Sequence, residues 1–297
     1  ALTSGVFAQS AGNYPDKPIK IIVSFTAGGT TDILAREVGN QMSIRWKVPV
    51  VIENKPGAAG NLGTEIVGRA APDGYTLLAS SIGPISINPT LFGNLPVNPQ
   101  KALQPVALLG DVPNILVVPS SSGIKNWKEF TAYLKANPGA INYGSTGIGT
   151  TAHLISYLFA QKLNVDALHI PYKGAEATRD LVAGRLQYMF ATAPSVVPLI
   201  KAGQLNAIAV STKKRISALP DLPTLNELGV DIATGAWFGF FAPEGTNPAI
   251  IQKLNETTLS ILEEPAIKQK LLSLGADPIP MSVPEFTRFI RNDFALW

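Results

Sequence analysis

Two glycine-containing turns carry the residue types that could bind an anion. The first, Phe25-Thr-Ala-Gly-Gly-Thr-Thr-Asp32, follows a β-branched run at Ile19–Ser24 and precedes residues 33–42, whose apolar positions have helical spacing. Gly28 and Gly29 carry no Cβ, so their backbone N–H groups can approach a guest closely. The unpaired first-turn amides and the helix dipole both favour a negative charge there. The turn therefore predicts a site for a carboxylate or a phosphate, with Thr30, Thr31 or Asp32 capping the helix.

The same pattern recurs far downstream. A short strand at Ile141–Tyr143 leads into Gly144-Ser-Thr-Gly-Ile-Gly-Thr150, and residues 151–163 read as a helix. Two such turns indicate two halves of the chain that face one ligand. The alternative is that both are ordinary βα turns, which use glycine and threonine in the same way.

Composition limits the class of protein. The chain has 297 residues, 46% hydrophobic and 15% charged, which predicts a globular protein long enough for two domains with separate cores. A net charge of +3 with scattered lysines and arginines argues against nucleic-acid binding. The absence of cysteine excludes a disulfide scaffold, thiol catalysis and thiolate metal sites.

The order of apolar runs predicts an α/β fold in two domains. Strands alternate with helices at the spacing of parallel βαβ units. Ser80 and Ser81 lie at the carboxyl end of the strand predicted at 75–80, where open α/β sheets bind ligands. Extended connections near 111–118 and 233–240 would join the halves and permit closure around a ligand. The predicted division is a tail at 1–13, a first domain at 14–112 with 236–297, and a second domain at 113–235.

Signs of enzyme chemistry are weak. The two histidines, His153 and His169, lack metal-ligand spacing; we expect His153 either to make a structural hydrogen bond or to contact the ligand, and His169 to be a core or interface residue. No nucleophile elbow, phosphate-loop lysine or pair of catalytic carboxylates is identifiable. The sequence therefore favours a protein that is not an enzyme and holds neither a metal nor a cofactor.

Three features near the turns each permit two interpretations. Trp237 and Phe238 could wall a cleft or pack in a core, and Lys173 could attract an anion or be solvated. Asp32 is better suited to capping the first helix and holding the Gly-Gly turn than to contacting an anion.

The first residues predict export. Ala1–Ala8, with small or permissive residues at Val6 and Ala8, resemble the end of a secretory signal cleaved after Ala8. A disordered terminal tail is the alternative. If these residues are the end of a secretory signal, the protein is expected in the periplasm.

Motifs spread over nearly the whole chain resemble the Bug family, also called TctC, the extracytoplasmic solute receptors of tripartite tricarboxylate transporters. They are Tyr14-Pro-x-Lys-Pro-Ile, Phe25-x-Ala-Gly-Gly-x-x-Asp32, Val51-x-Glu-Asn-Lys-Pro-Gly57, Pro72-Asp-Gly-Tyr75, Asn88-Pro-x-Leu, Gly144-Ser-x-Gly-x-Gly-Thr150, Pro171-Tyr-Lys-Gly174, Leu219-Pro-Asp-Leu-Pro-Thr224 and Trp237-Phe-Gly-x-Phe-Ala-Pro243.

The resemblance implies a two-domain periplasmic-binding-protein (Venus flytrap) fold that captures a small carboxylate in an interdomain cleft. The implied partners are the membrane subunits of the transporter, and we expect the protein to be a monomer. The ligand-binding residues carried over by position are Phe25, Thr26, Ala27, Gly28, Gly29, Ser80, Ser81, Ser145, Thr146, Gly149, Thr150 and Thr151.

One departure from the family bears on the ligand. Many relatives carry an aspartate, a natural partner for a ligand ammonium group, where this chain has Ala191. We therefore expect a dicarboxylate or another carboxylate without an amino group, with Ala191 and Thr192 both at the binding site. The rival functions are an enzyme acting on a small anionic metabolite and a receptor that hands its ligand-bound form to a sensor.

Overall fold

The computed structural model describes residues 11–297, and the predicted signal remnant at 1–8 lies outside the described residues. These residues form a mixed α/β fold, which confirms the predicted class. The strands are β1 Ile19–Val23, β2 Val50–Asn54, β3 Thr76–Ser81, β4 Leu103–Pro119, β5 Ile141–Ser145, β6 Ala167–Pro171, β7 Tyr188–Thr192, β8 Leu205–Val210 and β9 Gly235–Pro243. The helices are α1 Thr30–Trp46, α2 Asn61–Gly68, α3 Asn88–Phe92, α4 Pro99–Ala102, α5 Trp127–Ala136, α6 Thr151–Lys162, α7 Glu176–Val182, α8 Ala193–Lys201, α9 Pro248–Leu262, α10 Pro265–Ser273 and α11 Val283–Leu296.

The strands form two sheets that share β4. In the first sheet, β2, β1 and β3 are parallel neighbours, and β9 runs antiparallel between β3 and β4. In the second, β4 pairs antiparallel with β7 and β8, and β5 pairs parallel with β6 and β7. Because β9 returns to the first sheet, the chain after Gly235 rejoins the elements formed before β4.

Strand β4 differs from the sequence prediction. The apolar runs at 106–109 and 114–118 predict two separate extended segments, whereas the structure has one strand of 17 residues. Pro105 and Gly110, which interrupt the sequence pattern, fall at irregularities in the pairing with β9. Bulges of this kind accommodate residues that a regular ladder would not.

The chain passes between the sheets at two places that are hydrogen-bonded together. Strand β4 changes partners at Pro113–Asn114, and the second passage precedes β9. Ser211 joins them: its Oγ accepts from the Asn114 N–H at 3.2 Å and donates to the Thr234 carbonyl at 2.6 Å. The two crossings therefore form one connected strip.

Aromatic side chains fill the core of the second sheet. Phe130 and Phe159, from α5 and α6, pack against Tyr188 and Phe190 of β7 with ring centroids 5.3–6.1 Å apart. All four side chains are fully buried. Within residues 11–297, no helix is both long enough and apolar enough to cross a membrane.

Two helix starts show how the anion-facing turns are built. Helix α6 begins after Thr150, whose Oγ1 accepts from the His153 N–H at 3.4 Å. Helix α1 begins after Gly29, which offers no side-chain cap. The expectation that Thr30, Thr31 or Asp32 caps α1 is thus wrong, because all three lie inside the helix.

Candidate functional site

A narrow cleft lies between the sheets and is lined from both sides. The first turn and the end of β3 contribute Phe25, Gly29, Thr30, Thr31, Ser81 and Ile82. The second turn and its neighbours contribute Thr146, Thr150, Thr151, Gly174 and Thr192, and β9 contributes Ala236 and Phe238. The room left for solvent is about 40 Å³, enough for very few water molecules. The two halves are in contact across it, through Thr30 with Thr192 and Thr26 with Ala175.

The cleft offers neutral hydrogen-bond donors and no charged side chain among the residues that line it. Helices α1 and α6 both begin at its wall, so their first-turn amides and dipoles favour an anion there. Threonine and serine hydroxyls surround these amides. In a low-dielectric cleft such donors form strong charge-assisted bonds to a carboxylate.

Asp32 holds the first turn from behind. Its side chain is 4% exposed and accepts hydrogen bonds from the Gly28 N–H at 2.9 Å, Asn54 Nδ2 at 2.9 Å and Arg36 Nε at 3.0 Å. Burial raises the pKa of Asp32, but the bonds from Arg36, Gly28 and Asn54 outweigh it and hold the pKa below its usual value. The carboxylate is thus neutralised locally and holds the Gly-Gly turn, which is the second of the two roles expected of Asp32; the first, capping α1, is wrong.

Thr26 joins the two halves. Its Oγ1 accepts a hydrogen bond from the Ala175 N–H at 2.8 Å, just before α7, and donates to Glu176 Oε2 at 3.1 Å. A β-carbon at Gly174 would overlap Thr26 Oγ1. Thr26 therefore works as an interdomain contact beside the lining.

Two further contacts cross the cleft. The hydroxyls of Thr30 and Thr192 are 2.6 Å apart. Gly149 has φ +83° and lies so close to Asn88 that a β-carbon there would overlap Asn88 Oδ1. Glycine is required at this position both for its backbone conformation and for the close approach.

Two histidines hold the second turn. The Gly149 N–H donates to His153 Nδ1 at 3.2 Å, and His169 Nε2 lies 2.7 Å from Ser145 Oγ. The imidazole rings are stacked with centroids 4.1 Å apart. Burial lowers the pKa of His153; burial, followed by the neighbouring His153, lowers the pKa of His169 to about 4. Both are neutral structural groups behind the turn, so His153 takes the first of its two predicted roles.

The structure brings about half of the predicted site residues into the lining. Those that line the cleft are Phe25, Gly29, Ser81, Thr146, Thr150, Thr151 and Thr192. Ala27 and Gly28 are exposed, Thr26 and Gly149 make contacts between the halves, and Asp32 and Ser145 support the turns. Ser80 is fully buried and its Oγ accepts from Ser24 Oγ at 3.2 Å.

Ala191 is placed differently from our expectation. It is 1% exposed and belongs to the hydrophobic core, whereas Thr192 reaches the cleft. Successive side chains of a strand point to opposite faces, so only one of these two neighbours can face a ligand. Ala191 is therefore not part of the lining in this chain.

Sequence reasoning missed some lining residues. Thr30 and Thr31 were assigned to capping alone, and Ile82, Gly174 and Ala236 gave no signal of their own. Of the aromatic pair, Phe238 lines the cleft and Trp237 donates to Asp293 Oδ2 at 3.0 Å, away from it. Lys173 is exposed.

The chain is similar to known proteins both in sequence and in structure. Residues 34–297 match the model of the family described as the tripartite tricarboxylate transporter family receptor. The chain is 35% identical over 300 residues to Protein BugT of Bordetella pertussis, covering 99% of this chain and 92% of that protein.

Solved structures share the fold over nearly the full length. The periplasmic binding protein BugD has a TM-score of 0.90 at 34% identity, with 96% of each chain covered. R. palustris Rpa4515 with adipate has a TM-score of 0.92 at 32% identity, also with 96% of each covered. MatC from Rhodopseudomonas palustris with bound malate has a TM-score of 0.89 at 30% identity, with 96% of this chain and 98% of that one covered. These likenesses confirm the predicted two-domain periplasmic-binding-protein fold.

Proposed function

The chain belongs to the tripartite tricarboxylate transporter receptor family, the Bug or TctC proteins, and from this premise we propose that it binds a small dicarboxylate in its interdomain cleft. The observation that carries the proposal is that two helix N-termini from opposite halves open onto one cleft without a charged lining residue. Each N-terminus suits one carboxylate group.

The ligand class follows from the donors. A dicarboxylate places one anionic group near the first turn of α1 and the other near the first turn of α6. The hydroxyls of Thr31 and Thr146 lie beside those turns and can supplement the amides. Relatives whose structures contain adipate and malate, both dicarboxylates, support this class.

An amino-acid ligand fits less well. An ammonium group needs an acceptor of negative charge, and no acidic side chain lines the cleft. The nearby carboxylates are engaged elsewhere: Asp32 by Arg36 and Asn54, and Glu176 by Thr26. The absence of a free carboxylate favours a ligand without an amino group.

Binding and release require the cleft to open and close. We propose that residues 14–112 with 236–297 move against residues 113–235 about the two crossings joined by Ser211. Opening would break the contacts that Thr26 makes with Ala175 and Glu176, and the Thr30–Thr192 contact. In this account the protein is a periplasmic monomer that delivers its ligand to the membrane subunits of the transporter.

Ligand binding without catalysis explains the residues of the site better than an enzymatic function does. The residues that line the cleft supply hydroxyls, amides and apolar groups but no acid or base. The two histidines lie behind the second turn and are held there by Gly149 and Ser145. An enzyme acting on a small anion would need a general base in reach of the substrate.

Thermal unfolding against a ligand panel tests the function. Refolded, ligand-stripped protein is heated with mono-, di- and tricarboxylates, acidic amino acids, aromatic acids and phosphate esters. A ligand at ~100 times its dissociation constant adds about 2.7 kcal/mol of stability, which raises the melting temperature by a few degrees. We expect the largest shift with a dicarboxylate. A shift with phosphate esters alone would contradict the proposal.

A further inference from the structure

The side-chain amide of Asn114, near the cleft, is buried but its N–H group makes no hydrogen bond among the described residues. Asn114 is 0% exposed, and its Nδ2 has no hydrogen-bond partner among the described residues. Its Oδ1 accepts from Thr151 Oγ1 at 3.3 Å. A buried N–H without a partner destabilises a fold, so native structures rarely keep one without a reason.

Asn114 lies directly beside two residues that line the cleft. In the pairing of β4 with β7, it is opposite Thr192. Its side-chain partner Thr151 opens α6. Thr151 and Thr192 both line the cleft, so the amide lies next to lining residues from α6 and β7.

Other buried asparagines of this chain use their N–H groups fully. Asn255, 1% exposed, donates through Nδ2 to the carbonyls of Val106 and Met281 at 2.7 and 3.1 Å. Asn88, 0% exposed, donates to the Ala59 carbonyl and to Asn61. Within residues 11–297, Asn114 Nδ2 is the one buried side-chain nitrogen without a partner.

We propose that Asn114 Nδ2 donates a hydrogen bond to the ligand carboxylate that binds near the first turn of α6, making Asn114 a ligand-binding and specificity-determining residue. The inference rests on the proposed function. An amide supplies a donor to an anion without adding a charge, as the other groups of the cleft do. The Asn114 backbone is fixed on both sides by Ser211, which accepts from its N–H through Oγ and donates to its carbonyl through N. The donor is therefore held in place before the ligand arrives.

The test is calorimetric titration of the dicarboxylate that gives the largest thermal shift into the wild type and Asn114→Leu. Loss of a hydrogen bond to a charged group weakens binding by roughly tenfold to a hundredfold. The melting temperature of the ligand-free Asn114→Leu protein should stay near that of the wild type, because leucine removes the unpaired Nδ2 donor but also removes the acceptor of Thr151 Oγ1.

Two further variants separate binding from folding. Asn255→Leu removes an equally buried amide whose donors are satisfied, so it should lower the melting temperature and leave the dissociation constant unchanged. Asn114→Asp keeps the side-chain shape but replaces the N–H donor with a negative oxygen, so it should bind the dicarboxylate more weakly than Asn114→Leu at neutral pH.

The outcomes are distinct. Wild-type affinity in Asn114→Leu would overturn the inference while leaving the proposed function standing. A wild type that binds no carboxylate would overturn both. If Asn114→Leu does not fold, Asn114→Asp decides, and wild-type affinity in that variant would overturn the inference.

Discussion

The two anion-facing turns share a sequence pattern but are supported by different chemistry. The turn at 25–32 is exposed at Ala27 and Gly28 and is held by the ion pair of Asp32 and Arg36. The turn at 144–150 is largely buried and is held by the neutral, stacked imidazoles of two histidines. Similar binding surfaces therefore rest on a charged support in one half and an uncharged support in the other.

Because their surroundings differ, the two turns should respond differently to a side chain added at a glycine. The first turn has room around its positive-φ glycine, since a β-carbon at Gly28 would meet nothing within 4 Å. The second turn is packed against the opposite half through Gly149. Steric changes should thus act on the second turn and leave the first largely functional.

The largest expected effect comes from Gly149→Ala. The added methyl group would overlap Asn88 Oδ1 and prevent full closure, so dicarboxylate affinity should fall by on the order of a hundredfold or more, judged by calorimetry. Gly28→Ala is the matched control, because it changes a glycine of nearly the same φ in open space. It should cost about 1–2 kcal/mol of stability through left-handed strain and leave affinity close to that of the wild type. Equal losses of affinity in the two variants would remove the steric distinction between the turns.

A smaller effect is expected from Thr26→Val. Valine keeps the shape of threonine but loses the bonds to Ala175 and Glu176, so the closed state is weakened and affinity should fall by about tenfold. Thr26→Ser retains the hydroxyl and should restore most of the affinity. A Thr26→Val protein that binds as tightly as the wild type would show that this contact does not stabilise the closed state.

The smallest effect concerns pH. Because the pKa of His169 is lowered to about 4 and that of His153 is also lowered, the unfolded chain binds more protons than the folded one between about pH 6.5 and 4. Stability should therefore fall as the pH drops through that window. The contribution of Asp32, whose pKa is lowered, should persist until the pH falls below its usual value of 3.8.

Denaturant unfolding at pH 7, 5.5 and 4.5 would measure this loss. Replacing both His153 and His169 by glutamine should flatten the dependence between pH 7 and 4.5. An unchanged slope in that double variant would mean that other groups carry the acid sensitivity.

Much of the fold was predictable because its signals are local. Alternating strands and helices, the two glycine turns and the serine at the end of β3 are properties of short segments. The continuity of β4 was not predictable in this way, because Pro105 and Gly110 interrupt the pattern locally while pairing with β9 carries the strand through.

The site was predictable to a lesser degree. The turns located the cleft, but a residue's role depends on partners distant in sequence: Thr26 meets Glu176, and Asn114 meets Thr151. The inward direction of Ala191 depends on strand register. Asn114 had no local motif, and only its unpaired donor in the folded chain identifies it.

A diffraction structure of the protein with the dicarboxylate that gives the largest thermal shift tests the central claim most directly. The account predicts one carboxylate within ~3.2 Å of N–H groups in the first turn of α1 and the other within the same distance of those in the first turn of α6. A ligand that contacts only one half of the protein, or that lies outside the cleft, would contradict it.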